Sequence, residues 1–180
     1  MKVNLYQNSA GRSWTELIRS DVKGDMDLRA PVGAHPFLAE MEPHHLDLLA
    51  GCASIKQFEG GEMIFRAGQP ATGFYLIENG SVAIEGSVFE HGTITTDTLA
   101  AGEPLGWSWM FPPYVWHFSA RATEPTTVLF FDAERLHKYC NEDLTLGHQL
   151  FRRMSQVMVQ RLQKSRSKII ELSRSLNVPN

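Results

Sequence analysis

The chain has 180 residues and a formal charge of −3. That length supports one self-supporting core rather than two, and the acidic balance excludes a surface that is basic throughout, as a dedicated nucleic-acid binder carries. Two cysteines, Cys52 and Cys140, make neither a disulfide framework nor a paired zinc motif. With no signal-peptide run in "MKVNLYQNSAGRSW" and no long apolar stretch later, the expectation is a cytoplasmic protein that does not enter membranes.

Residues 1–34 are polar and broken by Gly11, Gly24, Pro31 and Gly33, which predicts a partly ordered extension. Within it Ser13 and Glu16 have capping-box spacing, and Trp14, Leu17 and Ile18 offer a small apolar face. From 35 to 50 the apolar residues Phe37, Leu38, Met41, Leu46, Leu48 and Leu49 recur at roughly helical spacing. Pro43 splits them into two short helices. The period then changes. Candidate strands lie at 54–58, 63–66, 74–78, 81–85, 93–99, 118–122 and 127–132, with turn signals about every eight to twelve residues. This is the pattern of a small sandwich or roll. The fold class is therefore mainly β with flanking helices.

After Asp132 the pattern is helical again, with "AERLHKYC" as a short helix and 144–172 as a long one. The chain divides into an extension (1–34), a roll with leading helices (35–132) and a helical tail (133–180). On the long helix Phe151, Met154, Met158, Leu162, Ser165, Ile169 and Leu172 fall near heptad spacing. About thirty helical residues span about 45 Å, more than a roll of this size covers. The distal stripe, with Met158, Leu162, Ile169 and Leu172 at its seam, is therefore expected to pair with a second copy as a homodimer. The same helix carries Arg152, Arg153, Arg161, Lys164, Arg166, Lys168 and Arg174 against Glu171 alone. These cations read as a solvated face that complements the helix C-terminus; a local contact with nucleic acid or an anionic membrane is the weaker alternative.

One segment departs from the chain's ordinary composition. "GEPLGWSWMFPPYVWHF" (102–118) holds Trp107, Trp109, Trp116, Phe111, Phe118 and Tyr114. It begins like a nucleophile elbow, Gly106-Trp107-Ser108-Trp109, but Met110 replaces the second glycine that the sharp turn needs. Histidines do not form a metal pattern either. His44 and His45 adjoin in a predicted helix, while His91, His117, His137 and His148 are scattered, so each reads as a solvated or core histidine. No catalytic residue, metal or cofactor is expected.

Short helices, a glycine-rich roll and a long helix together resemble the cyclic nucleotide-binding domain of catabolite activator proteins and protein kinase A regulatory subunits. The closest stretch is "FEGGEMIFRAGQPATGFYLIENGSVAI", where Gly61, Glu62, Gly68, Tyr75, Gly80 and Val82 sit where the family pattern wants them. The resemblance covers roughly 35–172 and implies a jelly-roll β-roll with a long C-terminal helix. It also places the family's phosphate-binding cassette on "LAAGEPLGWSWM". Leu99, Gly102, Leu105 and Gly106 match, but Trp107 stands at the ribose-binding glutamate position and Trp109 at a small position. Aligning "WHFSARATEPTTVLFFD" puts Trp116 at the phosphate-binding arginine and His117 at the small hydroxyl residue. By strand alternation Phe118, Ala120 and Ala122 share one face, and His117, Ser119 and Arg121 the other, so Arg121 is no substitute.

The resemblance thus implies a degenerate cassette. Losing one partner of a buried ion pair costs roughly 3–5 kcal/mol, about a hundredfold to several thousandfold in affinity, so cyclic AMP and cyclic GMP are expected to bind weakly or not at all. Backbone amides at 106–108, opening a short helix, could still favour an anion. Three jobs remain open for the rings: filling the vacated pocket, lining a cavity for another small molecule, or anchoring a protein partner. Gly106, Trp107, Ser108, Trp109, Trp116 and His117 are the candidate pocket residues. Phe111 and Tyr114, beside the stiff Pro112–Pro113 pair, are the candidate partner surface, with Trp116 expected near that rim. The family's transcription factors continue past the long helix into a winged helix-turn-helix, whereas Asn180 lies eight residues beyond Leu172. Sequence-specific nucleic-acid binding is therefore not expected. The expected function is a non-catalytic regulatory or accessory module working through protein partners; the alternative is a sensor of another small molecule.

Overall fold

The computed structural model describes residues 27–88 and 92–176. The capping-box turn at 13–16 lies outside them. The chain opens with α1 (Arg29–Ala34), a 3-10 turn (Pro36–Leu38) and α2 (Pro43–Cys52). Pro43 starts α2 at a position where its missing N–H costs no intrahelical bond. Between these elements His35 is buried. Its Nδ1 accepts from the Phe37 amide (3.2 Å), so the ring proton is on Nε2, which donates to the Ile77 carbonyl (3.3 Å). Desolvation lowers its pKa to about 4.

Eight strands follow: β1 (Ala53–Phe58), β2 (Met63–Phe65), β3 (Gly73–Asn79), β4 (Ser81–Val88), β5 (Gly92–Ala100), β6 (Pro104–Leu105), β7 (Ser119–Ala122) and β8 (Thr126–Asp132). They form two antiparallel sheets, ordered β1-β8-β3-β6 and β2-β7-β4-β5. Several details differ from the sequence expectation: residues 29–34 of the expected extension form α1, the first helix of the expected pair is a 3-10 turn, and β4 runs to Val88 rather than ending at 85. The two-residue β6 has too short a period to read from the sequence, and Phe118 precedes its strand rather than opening it.

Residues 73–77 of β3 are all buried, because helices cover one face of this strand and the second sheet covers the other. Phe74 stacks on Phe131 (4.6 Å between centroids) and meets Phe37 edge-on (6.2 Å). Its neighbour Tyr75 turns the other way, onto Phe65 and Phe130 (5.8 and 5.0 Å). Gly80 links β3 to β4 with φ +92, and a Cβ there would meet the Pro125 carbonyl at 2.6 Å. No side chain fits this turn.

After β8, α3 (Ala133–Glu142) is capped by Asp132, which accepts from the Arg135 amide. The last helix, α4 (Leu144–Leu176), is 33 residues long. Asp143 caps its start, accepting from the Leu146 and Thr145 amides and the Thr145 hydroxyl. These bonds hold its carboxyl well below the usual carboxylate range.

The face of α4 against the roll changes chemistry along its length. Leu146, Leu150 and Met154 are buried in the common core, with Val157 packed beside them. Beyond them Arg161 donates to the Pro104 carbonyl and Lys164 Nζ lies 2.6 Å from Asp97. On the near half Arg153 donates to the Phe37 and Ala39 carbonyls (2.9 and 2.6 Å). These three cations therefore bond to the roll, Lys164 while still 67 % exposed, because the i, i+4 and i, i+3 steps from Met154 and Val157 carry Arg161 and Lys164 onto β5 and β6. Arg152, Arg166, Lys168 and Arg174 stay exposed, as a solvated face requires. The opposite stripe stays open: Leu162, Ile169 and Leu172 are 60, 63 and 54 % exposed, while Met158 is partly covered.

Candidate functional site

Gly106 begins the aromatic segment with φ +85, and a Cβ there would lie 2.7 Å from Trp116 Cζ3. The indole is therefore seated against the glycine backbone. Trp116 is 3 % exposed and stacks on Phe65 at 3.9 Å with 13° between the planes; Tyr75 borders it at 6.3 Å. Its backbone is fixed too, since its N–H donates to the Gln69 carbonyl (2.9 Å) and its carbonyl accepts from Gly68 (2.8 Å). Pro70 bridges Val115, and Ala71 donates to the Tyr114 carbonyl. This zipper draws Trp116 inside. The expected rim position is thereby corrected, because the signal lies in Phe65 and Gln69, about fifty residues away.

The other rings divide by depth. Trp109, in a 3-10 turn (Ser108–Met110), is buried and stacks on Phe74 (5.7 Å, 18°). His137 donates through Nε2 to the Trp109 carbonyl (2.9 Å), while the buried Trp109 Nε1 has no partner. Trp107 is half-buried and stacks on the exposed His117 (5.1 Å, 17°). Ser108 is fully buried, with Oγ 3.0 Å from His117 Nδ1. A hydroxyl so enclosed cannot meet a substrate, and among the described residues no carboxylate is bonded to His117. The turn is only three residues long, so it lacks the dipole of a true helix start.

Phe111 and Tyr114 lie on the outside of the same loop. Phe111 is half-buried and meets Phe151 of α4 edge-on (5.8 Å), with Phe151 itself 48 % exposed. Tyr114 is 45 % exposed, has φ +55 and leans on His137 (5.4 Å) after the cis Pro112–Pro113 peptide. The structure thus seats Trp116 on Gly106, joins Trp107 and Ser108 to His117, sets Phe111 edge-on to Trp107 (6.5 Å), and puts Trp109 and Tyr114 beside His137. Met158, Leu162, Ile169 and Leu172 lie on α4 away from this cluster.

Arg121 points outward, as strand alternation requires. Its guanidinium makes a forked contact with Glu85 (2.7 and 3.3 Å) and donates to the Gly61 carbonyl (2.9 Å). It is committed elsewhere. The resemblance sets indoles at both polar-anchor positions of a phosphate–ribose site, and one of them, Trp116, packs against Gly106.

The sequence reading missed a second concave region. A cleft of about 420 Å³ lies between α4 and the β5–β6 connection, lined among others by Asp97, Glu103, Arg161 and Lys164. Burial lowers the pKa of the Arg161 guanidinium, while Glu103 and Asp97 oppose that shift. The inner-stripe spacing of Val157, Arg161 and Lys164 was the available signal.

Comparison with known proteins agrees with this architecture. The family described as "Cyclic nucleotide-binding domain" matches residues 55–143. Residues 55–143 form a cyclic nucleotide-binding domain. A cyclic nucleotide-binding protein from Geobacter metallireducens GS-15 is similar at 27 % identity and TM-score 0.65, covering 75 % of this chain and 95 % of its own. A cyclic nucleotide-binding domain from Methylobacillus flagellatus KT reaches TM-score 0.72 at 17 % identity, over 95 % of this chain and 96 % of its own. The regulatory subunit of a cAMP-independent protein kinase A from Trypanosoma brucei shares the fold at 21 % identity and TM-score 0.56, covering 68 % of this chain and 43 % of its own. No curated protein sequence matches the chain. Within the matched residues Gly106 has a positive φ and the Trp116 ring packs against it. Among the described residues no helix is long and apolar enough to cross a membrane.

Proposed function

We propose that this chain is a non-catalytic regulatory module that has lost cyclic nucleotide binding and acts through protein partners. The observation that carries this reading is the Trp116 ring packed between Gly106 and Phe65, where the family alignment asks for arginine. A buried phosphodiester there would meet an indole face and no cation, and Trp107 offers the ribose no carboxylate. The Trypanosoma brucei relative is itself named as cAMP-independent, which fits a fold kept without that ligand. A sensor of some other small molecule in the aromatic pocket is the less favoured reading, because Trp116 already occupies the space beside Gly106.

Output runs through two surfaces in this reading. The exposed stripe of α4 pairs two copies, with Met158, Leu162, Ile169 and Leu172 at the seam. The rim of Phe111 and Tyr114, extended by Phe151, receives the protein partner, since exposed aromatics are favoured anchors. The unpaired thiols Cys52 and Cys140 support a reducing, cytoplasmic setting. Burial pushes both up, to about 12 and about 11, which keeps them unreactive. Calorimetry with cyclic AMP and cyclic GMP tests the central point: no heat of binding at micromolar ligand is expected, and low-micromolar or tighter affinity for either would overturn it.

A further inference from the structure

Away from the cassette, the start of α2 carries a cluster of groups that the regulatory reading leaves without a task. Glu42, His44 and His45 each place a ligand-type atom within 4.8 Å of the other two. Asp143, from the α3–α4 junction, supports both rings: its Oδ2 lies 3.0 Å from His44 Nε2 and 3.1 Å from His45 Nε2. Thr145 Oγ1 lies 3.2 Å from the same His45 nitrogen and donates to Asp143 Oδ1 (2.6 Å). With each Nε2–H directed at a carboxylate, the lone pair of each imidazole is on Nδ1. For His45, 1 % exposed, this Nδ1 is buried and has no partner. A buried ring acceptor left empty is costly in a core, and a carboxylate behind a histidine is the arrangement that orients imidazole for a metal.

We propose that Glu42, His44 and His45 bind one divalent transition-metal ion, with Asp143 holding both imidazoles. Two neutral imidazoles and a carboxylate suit zinc and its neighbours, whereas magnesium and calcium prefer oxygen alone. Glu42 and His44 are exposed, so an ion can enter from solvent, and His45 anchors the site to the core. The site joins residues 98 positions apart, His45 and Asp143. A bound ion would therefore tie the start of α2 to the root of α4.

Zinc titration of the chelator-treated full chain, followed by competition with a chromophoric chelator, tests this. One zinc ion per chain is expected. His44→Ala and Glu42→Ala change exposed side chains, should keep the far-ultraviolet spectrum, and should each weaken binding at least tenfold. Asp143→Asn should weaken it about 10–100-fold. Cobalt substitution should give visible absorption bands of a low-coordinate nitrogen–oxygen site in the parent and none in His44→Ala. No stoichiometric zinc in the parent, or affinity unchanged in both folded variants, would overturn the proposal. So would loss of binding in His148→Ala rather than His44→Ala.

Discussion

The cassette and the outer stripe of α4 are both rich in large apolar side chains, yet one is closed and the other open. In the cassette, Trp116 and Trp109 are each 3 % exposed, seated on Phe65 and Phe74. On α4, Leu162 and Ile169 stand more than half exposed, with nothing among the described residues packed over them. The difference lies in what surrounds each region. Trp116 is enclosed where the chain is tied across the loop at Gly68 and Gln69, and Trp109 by Phe74 on the opposite face of β3, whereas the stripe projects from a helix that has already spent its inner face on the roll. Hydrophobicity alone says nothing about whether a surface is filled or awaiting a partner.

Opening the closed region should have the largest effect. Trp116→Ala removes a stacked indole from the core and should cost about 3–5 kcal/mol, measured by denaturant unfolding. A loss below 1 kcal/mol would mean that the ring is not the filler proposed here.

Titration sharpens the same contrast, because enclosed groups resist ionisation. His35 is held near pKa 4 against 6.5 for the free group, so the unfolded chain binds more protons between these values and stability falls as pH drops through the window. Glu78 does the reverse: desolvation raises its pKa from 4.5 to about 7, so stability falls as pH rises through that range. The two slopes oppose each other between pH 4.5 and 6.5, and the wild type should be nearly flat there. Glu78→Gln should uncover the His35 slope, a loss of about 3 kcal/mol on going from pH 6.5 to 4. A variant as flat as the parent would remove His35 from the account.

The open region should respond chiefly in assembly. Leu162→Glu combined with Ile169→Glu should convert a dimer to a monomer by sedimentation, while the separated chain keeps its helical far-ultraviolet spectrum and loses only the stability that pairing adds. If the parent is monomeric at micromolar concentration, the stripe does not pair copies. The smallest stability change is expected at the rim. Tyr114→Ala should shift unfolding by less than about 0.5 kcal/mol while abolishing capture of the protein that the parent retains in a pull-down.

Much of the roll was legible because its signals are local. The turn at Gly80 and the alternation of Ala120 and Ala122 against Ser119 and Arg121 need only neighbouring residues. The depth of the aromatic segment was not. Trp107 and Trp116 look alike in sequence, but Phe65, Gln69 and Gly68 decide which is taken inside. The bonds of Arg161 and Lys164 were hidden for the same reason, since the Pro104 carbonyl and Asp97 that receive them lie more than fifty residues away. Likewise, His45 and Asp143 meet only once α2 and the α3–α4 junction are brought together.

The change of chemistry along α4 gives its two halves different sensitivities. Apolar side chains seat the first half, and added salt leaves such contacts intact or strengthens them. Beyond Arg161, exposed charge helps hold the helix, and at about 0.15 M salt the screening length is only about 8 Å. Raising ionic strength should therefore loosen the far end while the near end stays seated, so the helix peels from its tip. Its reach towards other molecules is thereby set by the ions around it.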